Sequence, residues 1–466
     1  MELLMDNIIH DKSTKRKISI LKILNNNKEF VSANFLASHL KCSNRTILNT
    51  IFILKNEIPS NWEIISIKSK GYMLRKPSDE NFNFIMQLYL KESTIYNLLL
   101  GIFNGKHYTF EKWSQLLYIN KITLKNIIRQ FNIFLGSSGL KLKVQSKILK
   151  LEGNELNIRY FYIAFFTLTL KYGEEFTSLS YVKNEMNIII QYHKVKIDSN
   201  LLLSILRVFT KRNFQHKFLA KKIENKIILD TNQTSCFEEI VFFIEYYFKI
   251  NIQQNEINFM KLCFFLASNS TITQKKIVLN EVIQQNIAYD ILFNYIKKKN
   301  KLSTYIANNL AVEISIYLYK LDIMKNHKLP IQFFVNSLNF ISNVHYQLYK
   351  KNYRFIYSWN KKYGKLVNRF ESQYVTAQVA TFLYANPIKI NILLLFSGTA
   401  LEEKLIFLKL RRNLSENINI HRDFDLIKNY DLIVTNYPVS KSDIPVIYIF
   451  QNGSEKEITA IKSKVM

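Results

Sequence analysis

Glycine and proline are scarce in this chain, 10 and 6 in 466 residues, where about 7% and 5% are usual. Collagen-like, proline-rich and Gly/Ser-linker architectures are therefore excluded. Phosphate-cradling loops are missing as well: no GxxxxGKS, GxxxxGKT or GxGxxG occurs, so P-loop and Rossmann nucleotide sites have no support. Cysteine is nearly absent. Cys42, Cys236 and Cys263 are far apart and make no CxxC pair, which suits a reducing compartment and argues against a zinc site. No apolar run approaches the roughly 20 residues of a membrane span, and the acidic start, Met1 to Asp6, lacks a signal-peptide pattern. The expectation is a soluble, cytoplasmic protein with no membrane partner.

Acidic residues are also few, 36 against 64 Lys and Arg, and the net charge of +28 points to a polyanion. The chain is crowded with Lys, Asn and Ile and has only 12 Arg, a composition that AT-rich coding alone would produce, so the placement of charge has to decide. Apolar residues make up 48%, with 34 Phe and 27 Tyr, enough for several cores. At about 150 residues per domain the length implies roughly three to five compact units.

Residues 174–363 hold no glycine between their ends and a single proline, Pro330, so the middle of the chain reads as helical. Apolar residues recur there at helical spacing, as in Ile240, Phe243, Ile244 and Tyr247, and in Ile257, Met260, Phe264 and Leu266. Polar punctuation at 249–255, 269–276 and 297–303 divides it. After Pro387, an apolar strand over 388–396, a helix over 401–410 and short strands at 431–435 and 446–450 suggest a small α/β unit. The fold class is thus mainly α and multidomain.

The N-terminal segment carries the clearest motif. One helix over 15–25 buries Ile18, Leu21 and Leu24; a second opens on the cap Ser32 and buries Leu36 and Leu40. The short turn Lys41-Cys42-Ser43 leads to a third over 44–58, with Ile47, Ile51, Leu54 and Ile58 inward. A hairpin follows over 62–75, its turn at Ser69-Lys70-Gly71. Two helices on a three-residue turn make a helix-turn-helix, whose second helix enters a major groove. Its exposed first turn has fitting chemistry: Arg45 for a guanine edge, Asn44 or Asn49 for adenine, and Thr46 for a phosphate or thymine methyl. Lys68, Lys70 and Arg75 on the hairpin suit phosphate contacts by a wing.

The arrangement repeats. A helix over 109–117, the cap Asn120 and a helix over 121–135 burying Leu124, Ile127, Phe131 and Leu135 precede a hairpin over 140–151. The outer face of that helix shows Lys121, Lys125, Asn126 and Arg129. Residues 1–80 carry +5 and residues 101–160 carry +7, a mild concentration of the total.

Ser32 to Leu40 with Asn44-Arg-Thr-Ile47, the wing Lys70-Gly-Tyr-Met-Leu74, Leu151-Glu-Gly-Asn-Glu155 with Arg159, and Phe242 to Tyr247 followed by Asn255 to Phe259 resemble the Mga/AtxA family of virulence regulators. The resemblance implies tandem winged helix-turn-helix domains at 1–80 and 81–165, two all-α phosphotransferase-system regulation domains (PRDs) at 166–276 and 277–385, and a small α/β EIIB-like domain at 386–466. It implies binding to double-stranded promoter DNA, a homodimer through the EIIB-like domain, and a phosphotransferase-system phosphocarrier as partner. In the family a histidine in each PRD is phosphorylated. Here those positions fall at or near Ser199 and Val375; the nearby histidines are His193, His216 and His345. An active EIIB domain also needs a cysteine after its first strand, where this chain has Ser397-Gly-Thr399, read as a helix cap.

No catalytic constellation emerges. The eight histidines are scattered, there is no HExxH, and Glu174, Glu175, Glu238 and Glu239 read as solvated helical carboxylates. The expectation is a homodimeric DNA-binding transcription regulator of capsule or toxin type genes, not an enzyme, with neither cofactor nor metal. The rivals are a phosphorelay or sugar-sensing protein whose helical domains accept phosphate, and an RNA-binding antiterminator with similar helical domains.

Overall fold

The computed structural model describes residues 2–171, 180–220, 222–223, 227–331, 343–363, 366–387, 389–414, 417–425, 428–439, 443–450 and 453–465. The chain forms two compact units, residues 1–293 with 309–378, and residues 294–308 with 379–466.

The first unit opens with helices α1 (Glu2–Ile8), α2 (Lys12–Asn26), α3 (Ala33–Leu40) and α4 (Asn44–Glu57) and the antiparallel hairpin of β1 (Glu63–Ile67) and β2 (Gly71–Arg75). Three of these helices begin where a side-chain oxygen meets an otherwise orphaned N–H: Asp11 accepts from Thr14, Ser32 from Phe35 and Ser43 from Thr46. The stripes expected to be buried are buried, with one exception. Leu40 is half-buried, because it ends α3 where Lys41 turns the chain through a left-handed conformation, and Ala37 joins Leu36 inside instead. In the hairpin the interior is filled by Trp62 and Ile64, while Ile67 is exposed.

Next come α5 (Asn83–Lys91), α6 (Thr94–Phe103), α7 (Phe110–Leu116), α8 (Lys121–Gly136) and a second hairpin, β3 (Lys141–Gln145) with β4 (Ile148–Glu152). Thr109 caps α7 and Asn120 caps α8. Leu124, Ile127, Phe131 and Leu135 are buried as their spacing predicts. Between the hairpin strands Ser146 and Lys147 both take positive φ, the two-residue turn whose twist matches the flanking strands.

Helix α9 (Glu155–Lys171) is almost wholly interior. Tyr162, Phe165 and Phe166 on it meet Tyr96 and Phe103 of α6, and Phe161 meets Phe131 of α8, in edge and offset contacts. Each such ring contributes about 2–3 kcal/mol by burial, so α9 anchors the unit. It is followed by α10 (Ser180–Tyr192), α11 (Ser199–Phe214), α12 (Thr231–Phe248), α13 (Gln254–Ala267), α14 (Ile272–Gln285), α15 (Ile287–Lys299), α16 (Thr304–Asn326), α17 (Asn343–Lys362) and α18 (Arg369–Ala385). Helices α15 and α16 contribute residues to both units.

In the second unit, β5 (Ile390–Leu395), α19 (Ala400–Asn413), β6 (Ile418–His421), β7 (Leu432–Thr435), β8 (Val446–Tyr448) and α20 (Glu455–Val465) form a sheet of four parallel strands, ordered β6-β5-β7-β8. One face packs Ile392, Leu394 and Val434 against Ile406, Leu410 and Ile461 of the helices. Strand β6 is an addition to the expected set, and Ile388 lies outside the described residues.

Candidate nucleic-acid interface

In the first helix-turn-helix, the turn between α3 and α4 is made by Lys41 at φ 52, whose N–H returns to the carbonyl groups of Ala37 and Ser38. That turn leaves the first turn of α4 at the surface. Arg45 and Asn49 project into solvent, and neither has a polar partner among the described residues. Asn44, also exposed, donates to the Asn34 side-chain oxygen of α3, which ties the two helices together. Thr46 shares a hydrogen bond with the capping hydroxyl of Ser43 at 2.8 Å.

The wing stands beside this face. Lys68 and Lys70 are exposed at its tip, and Arg75 lies 3.8 Å from Glu63 across the hairpin. A groove of about 330 Å³ runs between the wing and the start of α3, lined by Ser32, Asn34, Lys68 and Lys70 among others. The wing reaches that position because β2 bridges to Val31: the amide of each of Val31 and Tyr72 donates to the other's carbonyl, at 2.8 and 2.9 Å. Gly71 makes this approach feasible. Its φ is +114, and a Cβ there would collide with the Val31 carbonyl.

The second copy has the same parts. Tyr118, at φ 52, makes the turn before α8, as Lys41 does before α4. Lys125, Asn126 and Arg129 are exposed on one face of α8. Lys121 sits 3.4 Å from Glu111 of α7, whose carboxyl is held below the usual range by its own backbone N–H and then by that lysine. Lys143 of the second wing lies 3.7 Å from Glu152.

Apolar side chains share both exposed faces, a feature the residue-type reading passed over. Leu48 and Phe52 stand out from α4, and Ile122 and Ile133 from α8. The available signal was positional: they fall off the buried stripes at 47, 51, 54 and at 124, 127, 131.

Behind these domains lies a buried ionic cluster. Arg159 of α9 donates from Nη1 and Nη2 to the two carboxylate oxygens of Glu256 on α13, from Nε to Glu155 at 3.0 Å, and from Nη2 to the Lys217 carbonyl at 2.7 Å. Glu155 also accepts a fork from Arg212 of α11. Two cations meet two anions, so the cluster is neutral and its geometry bidentate. Glu155, Arg159 and Glu256 each fall in a stretch that carries the resemblance, but nothing local pairs them, and Arg212 lies in no quoted motif.

The histidines are dispersed. His193 Nε2 is 2.6 Å from Glu239 Oε2, so Glu239, expected to be merely solvated, has a partner. His216 is exposed, and the side chain of His345, like the whole of Glu174 and Glu175, lies outside the described residues. Ser199 begins α11 beside its cap Asp198, and Val375 is buried in α18. In the second unit Thr399, not Ser397, caps α19, in a reciprocal box with Glu402; Asn436 holds the Ser397 backbone. Among the described residues no group of three His, Cys, Asp or Glu is placed to hold a metal, and no helix is long and apolar enough to cross a membrane.

Comparison with known proteins supplies the context. Residues 16–73 match a helix-turn-helix domain and residues 78–166 the Mga helix-turn-helix domain. Three Bacillus anthracis proteins are similar. The anthrax toxin expression trans-acting positive regulator is 22% identical over 97% of this chain and 98% of its own length. The capsule synthesis positive regulator AcpB is 29% identical over 46% of this chain, and the capsule synthesis positive regulator AcpA 26% over 32%. The matched stretch spans 43% of AcpB and 30% of AcpA. The two domain matches and these relatives support a regulator of the Mga/AtxA family with DNA-binding helix-turn-helix domains.

Proposed function

We propose that this protein activates transcription of capsule or toxin type genes from the cytoplasm by docking α4 and α8 in successive major grooves, with the two wings on the flanking phosphates. The observation that carries the reading is the first turn of α4, where Arg45 and Asn49 are exposed beside a wing bearing Lys68 and Lys70. A guanidinium and a carboxamide, four residues apart on one helical face, match guanine and adenine edges, and the wing lysines supply charge without sequence information. Asn44 and Thr46 hold the turn and reach phosphate. Arg75, Lys121, Lys125, Asn126 and Arg129 complete the basic surface. The positive sign of regulation follows what the relatives are named for.

In this reading the helical region divides into two PRDs at 166–276 and 277–385, and the 386–466 unit is EIIB-like and joins two copies into a homodimer. The parallel sheet ordered β6-β5-β7-β8 supports the latter assignment. Serine and valine at the expected phosphoacceptor positions leave regulation by a phosphocarrier to other residues, and the protein acts as a regulator rather than an enzyme.

The test is promoter binding by fluorescence anisotropy at several salt concentrations. Arg45→Ala should weaken binding by about 1–3 kcal/mol, roughly 5- to 150-fold, and relax the preference at one base pair. Lys68→Ala with Lys70→Ala should weaken all sequences alike and reduce the salt slope by about 2. Wild-type affinity and specificity in Arg45→Ala would refute the assignment.

A further inference from the structure

The first unit holds a partly open chamber of about 180 Å³ lined from α9, α11, α13, α16 and α18. Tyr160, Ile205, Cys263, Lys320, Met324 and Tyr374 are among the residues that line it. Its wall is apolar but for the phenols, the thiol and one charged group. An engineered cavity of about 150 Å³ holds a benzene ring, so this one has room for a body of roughly six to eight heavy atoms.

The charged group is the anomaly. Lys320 is half-buried at the wall of the chamber, with Nζ 2.9 Å from the Ser268 carbonyl and 3.3 Å from that of Leu266, and it stands 5.1 Å from the ring centre of Phe265. Neither carbonyl carries a formal negative charge. Among the described residues no carboxylate lies within ion-pair distance of Lys320, and the other charge that bears on it is the like charge of Lys275. Desolvation pushes the Lys320 ammonium down to about 8, so at neutral pH it remains a cation at the chamber wall with no carboxylate of the described chain paired to it. Lysine is almost never buried without an anionic partner, because the charge loses its hydration. Three N–H donors, two of them on carbonyls, leave one for a guest.

We propose that the chamber binds a small monoanion with an apolar body, a short-chain aliphatic or aromatic carboxylate, whose headgroup pairs with Lys320 and whose body fills the space beside Ile205 and Met324. One ammonium matches one negative charge, and the apolar wall disfavours a strongly hydrated dianion. Tyr160 belongs to α9, within the stretch that matches the Mga helix-turn-helix domain. The guest therefore sits where that domain meets the regulatory helices; any effect on promoter affinity rests on the function proposed above, whereas binding itself does not.

The test uses the full chain without DNA, by titration calorimetry and thermal shift at pH 7. The probes are hexanoate and benzoate, with 1-hexanol and benzyl alcohol as neutral counterparts. The expected result is saturable binding of one carboxylate per chain, at least tenfold tighter than its alcohol, and at least tenfold weaker in Lys320→Met. That variant removes a desolvated charge and keeps an apolar stem, so it should fold. Ile205→Phe, which fills the chamber, should abolish binding while its circular dichroism stays that of the parent. The proposal is overturned if neither carboxylate binds, if the alcohols bind equally well, or if Lys320→Met retains wild-type affinity.

Discussion

Replacing Arg159 by methionine removes one guanidinium and strands Glu256. In the intact protein that carboxylate, 1% exposed, is met by the Arg159 fork and by the Leu219 amide at 3.0 Å. Without Arg159 a single backbone N–H remains for a buried negative charge. Breaking a buried pair from one side costs about 3–5 kcal/mol, a third or more of the stability of a typical domain. Glu155 suffers less, because Arg212 still holds it. The partner change, Glu256→Met, strands Arg159 only in part for the same reason. In the double variant Arg159→Met/Glu256→Met no net charge is left behind; what is lost is partners for the Lys217 carbonyl and the Leu219 amide, about 1–3 kcal/mol for each unsatisfied group. Urea unfolding of all four proteins, followed by circular dichroism and tryptophan fluorescence, closes the cycle. The double variant should be no less stable than Arg159→Met alone, giving a coupling of at least about 2 kcal/mol. Additive losses, or a cost below about 1 kcal/mol for Arg159→Met, would refute the view that this cluster locks α9 to α11 and α13.

Gly71→Ala should disrupt the first wing by about 2 kcal/mol or more, since neither the positive φ nor the contact with Val31 tolerates a Cβ. Faster exchange of the Val31 and Tyr72 amides would register it, along with weaker DNA binding. Lys249 ends α12 at φ 51, and Lys249→Gly should raise the thermal midpoint by the equivalent of about 0.5–1 kcal/mol, because glycine adopts that conformation freely. Lys320 supplies a pH signature. Its folded-state pKa, about 8, lies below the ordinary lysine value of 10.5, so the unfolded chain binds more protons between those values and stability rises with pH across the window. Relative to Lys320→Met, the wild type should gain on the order of 3 kcal/mol from pH 7.5 to 10.5. The comparison cancels the neighbouring titrations of Cys263, Tyr160 and Tyr374, and Lys275 stays paired with Glu313. A pH-independent difference would show that Lys320 is charged at no cost.

What could be read in the sequence was local. Ser32 and Asn120 begin helices because a cap bond reaches only two or three residues, and the stripes on α2, α4 and α8 follow from a 3.6-residue period. Short or wholly buried elements escaped. Helix α1 spans seven residues, too few for a periodic signal, yet Leu4, Met5 and Ile8 on it are buried. Strand β6 is four residues that pair on one side only, with β5. The features with the largest energetic stake are non-local. Arg159 and Glu256 are 97 residues apart, and Lys320 reads as one more lysine in a lysine-rich chain until the carbonyls of Leu266 and Ser268 are placed beside it.

The basic surplus also looks different once the backbone is known. A chain with ten glycines still has to end its helices and close its hairpins, and six of the ten non-glycine residues of the described chain at positive φ are lysines: Lys41, Lys147, Lys194, Lys249, Lys301 and Lys328. A cation at a helix C-terminus is favoured by the partial negative charge of the unsatisfied carbonyls, which offsets some of the cost of positive φ. Total charge therefore does not by itself say how much is presented to a polyanion. Lys41 and Lys147 serve both purposes, the first at the helix-turn-helix corner and the second at the tip of a wing. A DNA-binding surface in this protein is thus defined by orientation rather than by abundance. In the function proposed above, the residues that count are those, like Arg45, Lys70 and Arg129, whose helix or wing presents them outward with no side-chain hydrogen bond or ion pair among the described residues.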